Sequence, residues 1–159
     1  MKRWPVLVGK VVFSVALGGV LVSPTTVLAS ATAQTVHFSF VDPPAPDVNP
    51  CTGAPGLFSD SGQGVFHLTV NTDGTSHETF TVVGQILFQQ NDGVTFTGKF
   101  TAWDGENVNR QNAVFSATFH FTAFGSDGSK LSEHGVFHIS FNANGTVTAT
   151  VDKDSLRCG

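Results

Sequence analysis

Tyrosine is absent from this chain of 159 residues, methionine occurs once, cysteine only twice, and charged residues make up 13% of the total. Without tyrosine, and with Trp103 as the one tryptophan beyond residue 33, the aromatic surface common in protein and carbohydrate recognition is missing. Cations are scarcer still. Past residue 33, Lys99, Arg110, Lys130, Lys153 and Arg157 face all twelve acidic residues, a formal charge of −7. Nucleic-acid binding needs clustered Lys and Arg that release counterions, so no nucleic-acid partner is expected, and anionic membrane surfaces are disfavoured for the same reason. No GxSxG, HExxH, CxxC or Asp-rich calcium loop occurs, so no catalytic residue and no cofactor is assigned. The longest apolar run, Val11 to Val22, falls short of the ~20 residues that span a bilayer.

That run has a different meaning. Lys2, Arg3 and Lys10 supply a positive flank, and small-residue motifs follow at Ala29-Ser30-Ala31 and Ala31-Thr32-Ala33, the layout of a secretory signal peptide. Residues 1–33 are therefore expected to be removed, with cleavage after Ala31 or Ala33, leaving a secreted or cell-envelope protein with no stable membrane association. Export would carry Cys51 and Cys158 into an oxidising space, where a bridge between them persists. Closing a loop of about a hundred residues is valued at roughly 4–5 kcal/mol by the chain-entropy model.

The remainder is too short for two comfortable domains. Residues 34–50 read as a short strand followed by a proline-rich connection, DPPAPDVNP, in which Pro43, Pro44, Pro46 and Pro50 remove backbone donors. Residues 51–159 read as one all-β domain. From Gly64 onward the pattern has period two, rich in Phe, Val, Ile and Thr. Four x-Asp/Asn-Gly triplets, centred on Asp73, Asp92, Asp127 and Asn144, fit three-residue hairpin loops with glycine in the left-handed region. That loop length puts Phe66 opposite Phe80, Phe88 opposite Phe96, His120 opposite His134, and Phe137 opposite Val151; a loop one residue shorter would set phenylalanines against threonines.

GVFHLTVNTDGT (64–75) recurs as GVFHISFNANGT (135–146), identical at seven of twelve positions. Strands are expected at about 35–41, 64–71, 75–90, 94–103, 113–125, 129–142 and 146–152, with one more near Leu57 and Phe58. Seven or eight antiparallel strands joined by consecutive hairpins point to an up-and-down barrel, with a β-sandwich as the alternative.

Parity gives the inward face its residues, among them Phe66, Phe80, Phe96, Phe100, Phe119 and Phe137 as candidate lining of an apolar ligand site. Ala113, Ala117 and Ala123 alternate with phenylalanines, which suits a tapering interior. His67, His77, His120, His134 and His138 fall on the polar face, where only His120 and His134 stand directly opposite one another, a candidate metal pair. His134 and His138 are ~13 Å apart along one strand and cannot share an ion. Glu78 and Glu133 have inward parity, so burial is expected to raise their pKa values. Trp103 is read as ending a strand and opening the longest loop, 104–112.

The segments Cys51-Thr52-Gly53, Phe66 to Thr75 (FHxTxNxxGT), Asn107 to Ala113 (NVNRxNA), Gly125 to Ser129 (GSDGS) and the final Arg157-Cys158-Gly159 resemble those of small exported bacterial β-proteins without a named activity. The resemblance brings no catalytic residues with it. In architecture alone the chain is similar to lipocalin-like and dirigent-like barrels; their diagnostic motifs, including a GxW opening strand, are missing, so the likeness is one of fold and assigns no function. The expected function is non-enzymatic binding of a small apolar ligand in a Phe-lined interior. The alternatives are a ligand-free barrel acting on protein or cell wall through its outer face or loops, and a cofactor-free enzyme using buried carboxyls.

Overall fold

Seven antiparallel strands form one sheet in the computed structural model, which describes residues 30–159. They are β1 (Thr32–Val48), β2 (Pro55–Val70), β3 (Ser76–Gln90), β4 (Thr95–Val108), β5 (Asn112–Gly125), β6 (Lys130–Asn142) and β7 (Val147–Cys158). Their order across the sheet is their order in sequence, and β1 and β7 are its two edges. The positive flank and apolar run of the expected export signal lie outside the described residues.

All four three-residue loops form as expected. In each, the residue before the loop donates its N–H to the carbonyl of the residue after it, as from Asn71 to Thr75 (2.8 Å) and Gly125 to Ser129 (2.8 Å). Gly74, Gly93, Gly128 and Gly145 hold the positive φ angles, 83°, 97°, 87° and 73°. Asp73 and Asp127 accept hydrogen bonds from the N–H and hydroxyl of Thr75 and Ser129, and these bonds lower both carboxyl pKa values. Both copies of the internal repeat run down a strand into such a loop at one end of the sheet.

Several strands run longer than their pattern suggests. β1 continues through the prolines, because an edge strand needs no donor on its outer side and a bulge between Asp42 and Ala45 absorbs the irregularity. Leu57 and Phe58 open β2 rather than forming a separate strand. β4 passes through Trp103 and on to Val108, so the expected long loop is a tight turn at 109–111, held by the Asn109 carboxamide oxygen, which accepts from the N–H groups of Gln111 and Asn112 (both 2.8 Å). Trp103 sits mid-strand, and a Cβ on Gly105 would come within 3.0 Å of its ring.

The largest correction concerns β7. Phe141 faces Val147 as expected, but Thr148 is an extra residue, so Ser140 faces Ala149 and Phe137 faces Asp152 instead of Val151. One inserted residue reverses the face of everything after it. Asp154, Leu156 and Cys158 consequently share a face with Glu133 and Leu131.

Cys158 bonds to Cys51 in the β1–β2 loop, with Cα atoms 6.0 Å apart, so the bridge ties together regions near the two sheet edges. The buried side chain of Asn49 shapes that loop, its oxygen accepting from the N–H groups of Cys51 (2.8 Å) and Thr52 (3.2 Å). Phe58 of β2 and Leu131 of β6 would be ~19 Å apart in a flat sheet. Here they line one small cavity, so the sheet is rolled at this end. The core lies within the roll: Val82, Ile86, Phe88, Phe96, Phe100, Phe121, Ala123 and Leu131 are buried, with Phe38 and Phe40 of β1 packed against them. Missing side chains help it to close. A Cβ on Gly84 would collide with the Phe100 ring and one on Gly64 with the Phe38 ring, so both glycines give the rings room to lie across the backbone.

Candidate functional site

The concave face divides into two halves. At the disulfide end it is filled: a cavity of about 20 Å³, room for about one water, is all that remains among Pro50, Phe58, Phe88, Phe119 and Leu131. Ligand sites of ordinary size are roughly 300–1,000 Å³. Towards the other end Phe66, Leu68, Phe115, Phe137, Ile139 and Phe141 are only half-buried.

The six phenylalanines expected to line an apolar site share this face but not one environment. Phe96 (2% exposed) and Phe100 (6%) are core residues, whereas Phe66, Phe80, Phe119 and Phe137 are half-buried. Phe80 stacks on Phe38 with centroids 5.3 Å apart, Phe119 lies 6.5 Å from Phe100, and Phe137 meets Phe115 at 5.9 Å.

Carboxyls interrupt the apolar surface in two places. Glu78 and Glu106 are cross-strand partners on β3 and β4, and Asp104 lies two residues from Glu106 on the same face. Burial, then the charges of Glu78 and Glu106, push the Asp104 carboxyl up to about 6; burial and Glu106 raise Glu78. The second place is Glu133, buried between Phe121 on β5 and Leu156 on β7. Burial and then the neighbouring Asp154 push it up to about 7. Its Oε2 has no hydrogen-bond partner among the described residues.

The inward parity of Glu78 and Glu133 thus gives the shifts expected of it. Asp104 and Glu106 escape a sequence reading that ends the strand at Trp103, although their even numbers match Phe96 and Phe100. Asp154 escapes because nothing in the sequence announces the extra residue at Thr148. Asp104 and Glu133 are thereby brought towards neutrality, but no cysteine among the described residues is free to act as a nucleophile.

On the convex face His120 and His134 are direct cross-strand partners, both exposed, with ring centroids 6.3 Å apart. The described residues contain no group of three or more His, Cys, Asp or Glu that could hold a metal. No protein-family model, curated protein sequence or solved structure matches the chain.

Proposed function

We propose that this is an exported, non-enzymatic binding protein whose rolled sheet serves as an open-sided barrel, holding a small apolar ligand against the unfilled half of its Phe-lined concave face. The partly uncovered row Phe66, Phe115, Phe137 and Phe141 carries this reading, because apolar side chains next to a filled core gain by being removed from water. Export follows from the signal layout and agrees with the disulfide. Scarce cations argue against nucleic-acid and anionic-membrane partners.

Native mass spectrometry of protein recovered from its own culture medium tests the proposal, alongside titration with the fluorescent apolar probe N-phenylnaphthylamine. Retained ligand mass, or saturable probe binding reduced by Phe137→Ser, supports it. Bare protein that also fails to bind the probe favours the ligand-free alternative, to which the filled disulfide end already lends weight.

A further inference from the structure

The two opposed histidines differ from His67, His77 and His138, which neighbouring side chains engage, and from His37, which stands opposite Val65. The Thr35 hydroxyl meets Nδ1 of His67 at 2.8 Å and the Thr69 hydroxyl meets its Nε2 at 3.2 Å. His77 is engaged by Asn107 at 2.6 Å and His138 by Ser116 at 2.8 Å. The side chains of His120 and His134 make no hydrogen bond among the described residues and face each other instead.

Their position in the ladder brings them close. Gly125 donates to Ser129 at the hairpin mouth, which makes that pair hydrogen-bonded. Antiparallel pairs alternate, so 123/131 and 121/133 are hydrogen-bonded and His120/His134 is not. Non-hydrogen-bonded pairs have Cα atoms only about 4.5 Å apart and the closest side chains. Metal–nitrogen bonds of about 2.0–2.1 Å allow one ion to join two imidazoles whose centroids are roughly 5–6 Å apart. The observed 6.3 Å lies just above that range.

We propose that His120 and His134 form a two-imidazole site on the convex face that binds a divalent transition-metal ion, Cu²⁺ most tightly. Imidazole donors favour Cu²⁺ and then Zn²⁺ over Ca²⁺ and Mg²⁺, which prefer oxygen. Thr101 stands opposite His120 on β4 and Ser155 opposite His134 on β7, so the flanking partners are hydroxyl residues. Glu133, next to His134 in sequence, belongs to the other face. Protein donors therefore number two, and solvent or a partner's group completes the coordination. The site is independent of the apolar-ligand reading, which concerns the concave face.

The test is Cu²⁺ titration of the untagged secreted protein, followed by electron paramagnetic resonance and calorimetry. The expected result is a saturable site of one ion per chain, with nitrogen couplings from two imidazoles. His120→Asn and His134→Asn should each weaken it by about ten-fold or more, while His67→Asn, His138→Asn and His37→Asn leave it unchanged. Melting temperatures measured without metal check that each variant folds; both test positions are exposed, so a folded protein is expected. Equal Cu²⁺ affinity in the wild type and the His120→Asn/His134→Asn double variant overturns the proposal, as does an equal loss in any control variant.

Discussion

Glu133 is buried beneath the last ladder with its carboxyl against that of Asp154, two strands' worth of acid brought together by the bulge at Thr148. Regular pairing from the Phe141–Val147 contact would have put Asp154 on the opposite face. The arrangement leaves one carboxyl inclined to keep its proton near neutrality.

That inclination sets a pH dependence. A carboxyl raised from 4.5 to about 7 on folding binds its proton more tightly in the native state. Its stabilising contribution is therefore complete below about 4.5, falls as pH rises towards 7, and changes no further above that. The slope is at most about 1.4 kcal/mol per pH unit for one proton. Asp104, pushed up to about 6, acts with the same sign between 3.8 and 6. Urea unfolding of the wild type and Glu133→Gln across pH 4.5–8 should show a shallower decline in the variant, most clearly between about pH 5 and 6.5, midway between the two values. Parallel curves would contradict the buried position of Glu133.

Deleting Thr148 should leave the Cys51–Cys158 bridge intact. The bulge would close into a regular ladder with Ala149 still opposite Ser140 and Cys158 still opposite Leu131. Non-reducing peptide mapping reads the result directly. Two alkylatable thiols in the deletion variant would instead favour the unbulged register, in which the deletion turns Cys158 to the wrong face.

At the hairpin tips, Gly128→Ala should cost about 1 kcal/mol, because its φ of 87° penalises a Cβ although nothing stands within 4 Å of where that atom would be. Asn144→Ala is the comparison, since only the backbone N–H of that residue enters a hydrogen bond in its loop. Thermal or denaturant unfolding should separate the two, and an equal, negligible cost at both positions would remove the loop assignment. Ser126 is a poorer control, because its hydroxyl accepts the N–H of Thr95 at 3.1 Å.

The two halves of the concave face should respond oppositely to truncation. Phe96→Ala removes a core ring 2% exposed and should destabilise by about 3–5 kcal/mol. Phe137→Ala, at the half-buried end, should cost clearly less while weakening binding of N-phenylnaphthylamine. Probe binding lost from Phe96→Ala with Phe137→Ala unaffected, both measured well below their unfolding transitions, would place the apolar site at the disulfide end.

Much of this fold was legible in the chain. The four x-Asp/Asn-Gly loops fixed their own length, and with it the opposition of Phe66 to Phe80 and His120 to His134, because a turn and a period-two pattern are local properties of a few residues. The inward parity of Glu78 and Glu133 and the pairing of Cys51 with Cys158 followed from the same reasoning and from there being only two cysteines. Tertiary structure alone decided how far the sheet rolls, since that depends on rings such as Phe38 and Phe100 lying across Gly64 and Gly84 on other strands. It also decided the bulges at 42–45 and Thr148, which are set by pairing with a neighbour rather than by the bulged strand's own sequence. Because one such residue reverses every side chain beyond it, the meeting of Glu133 with Asp154 and the face from which Cys158 reaches Cys51 were determined only when β7 paired with β6.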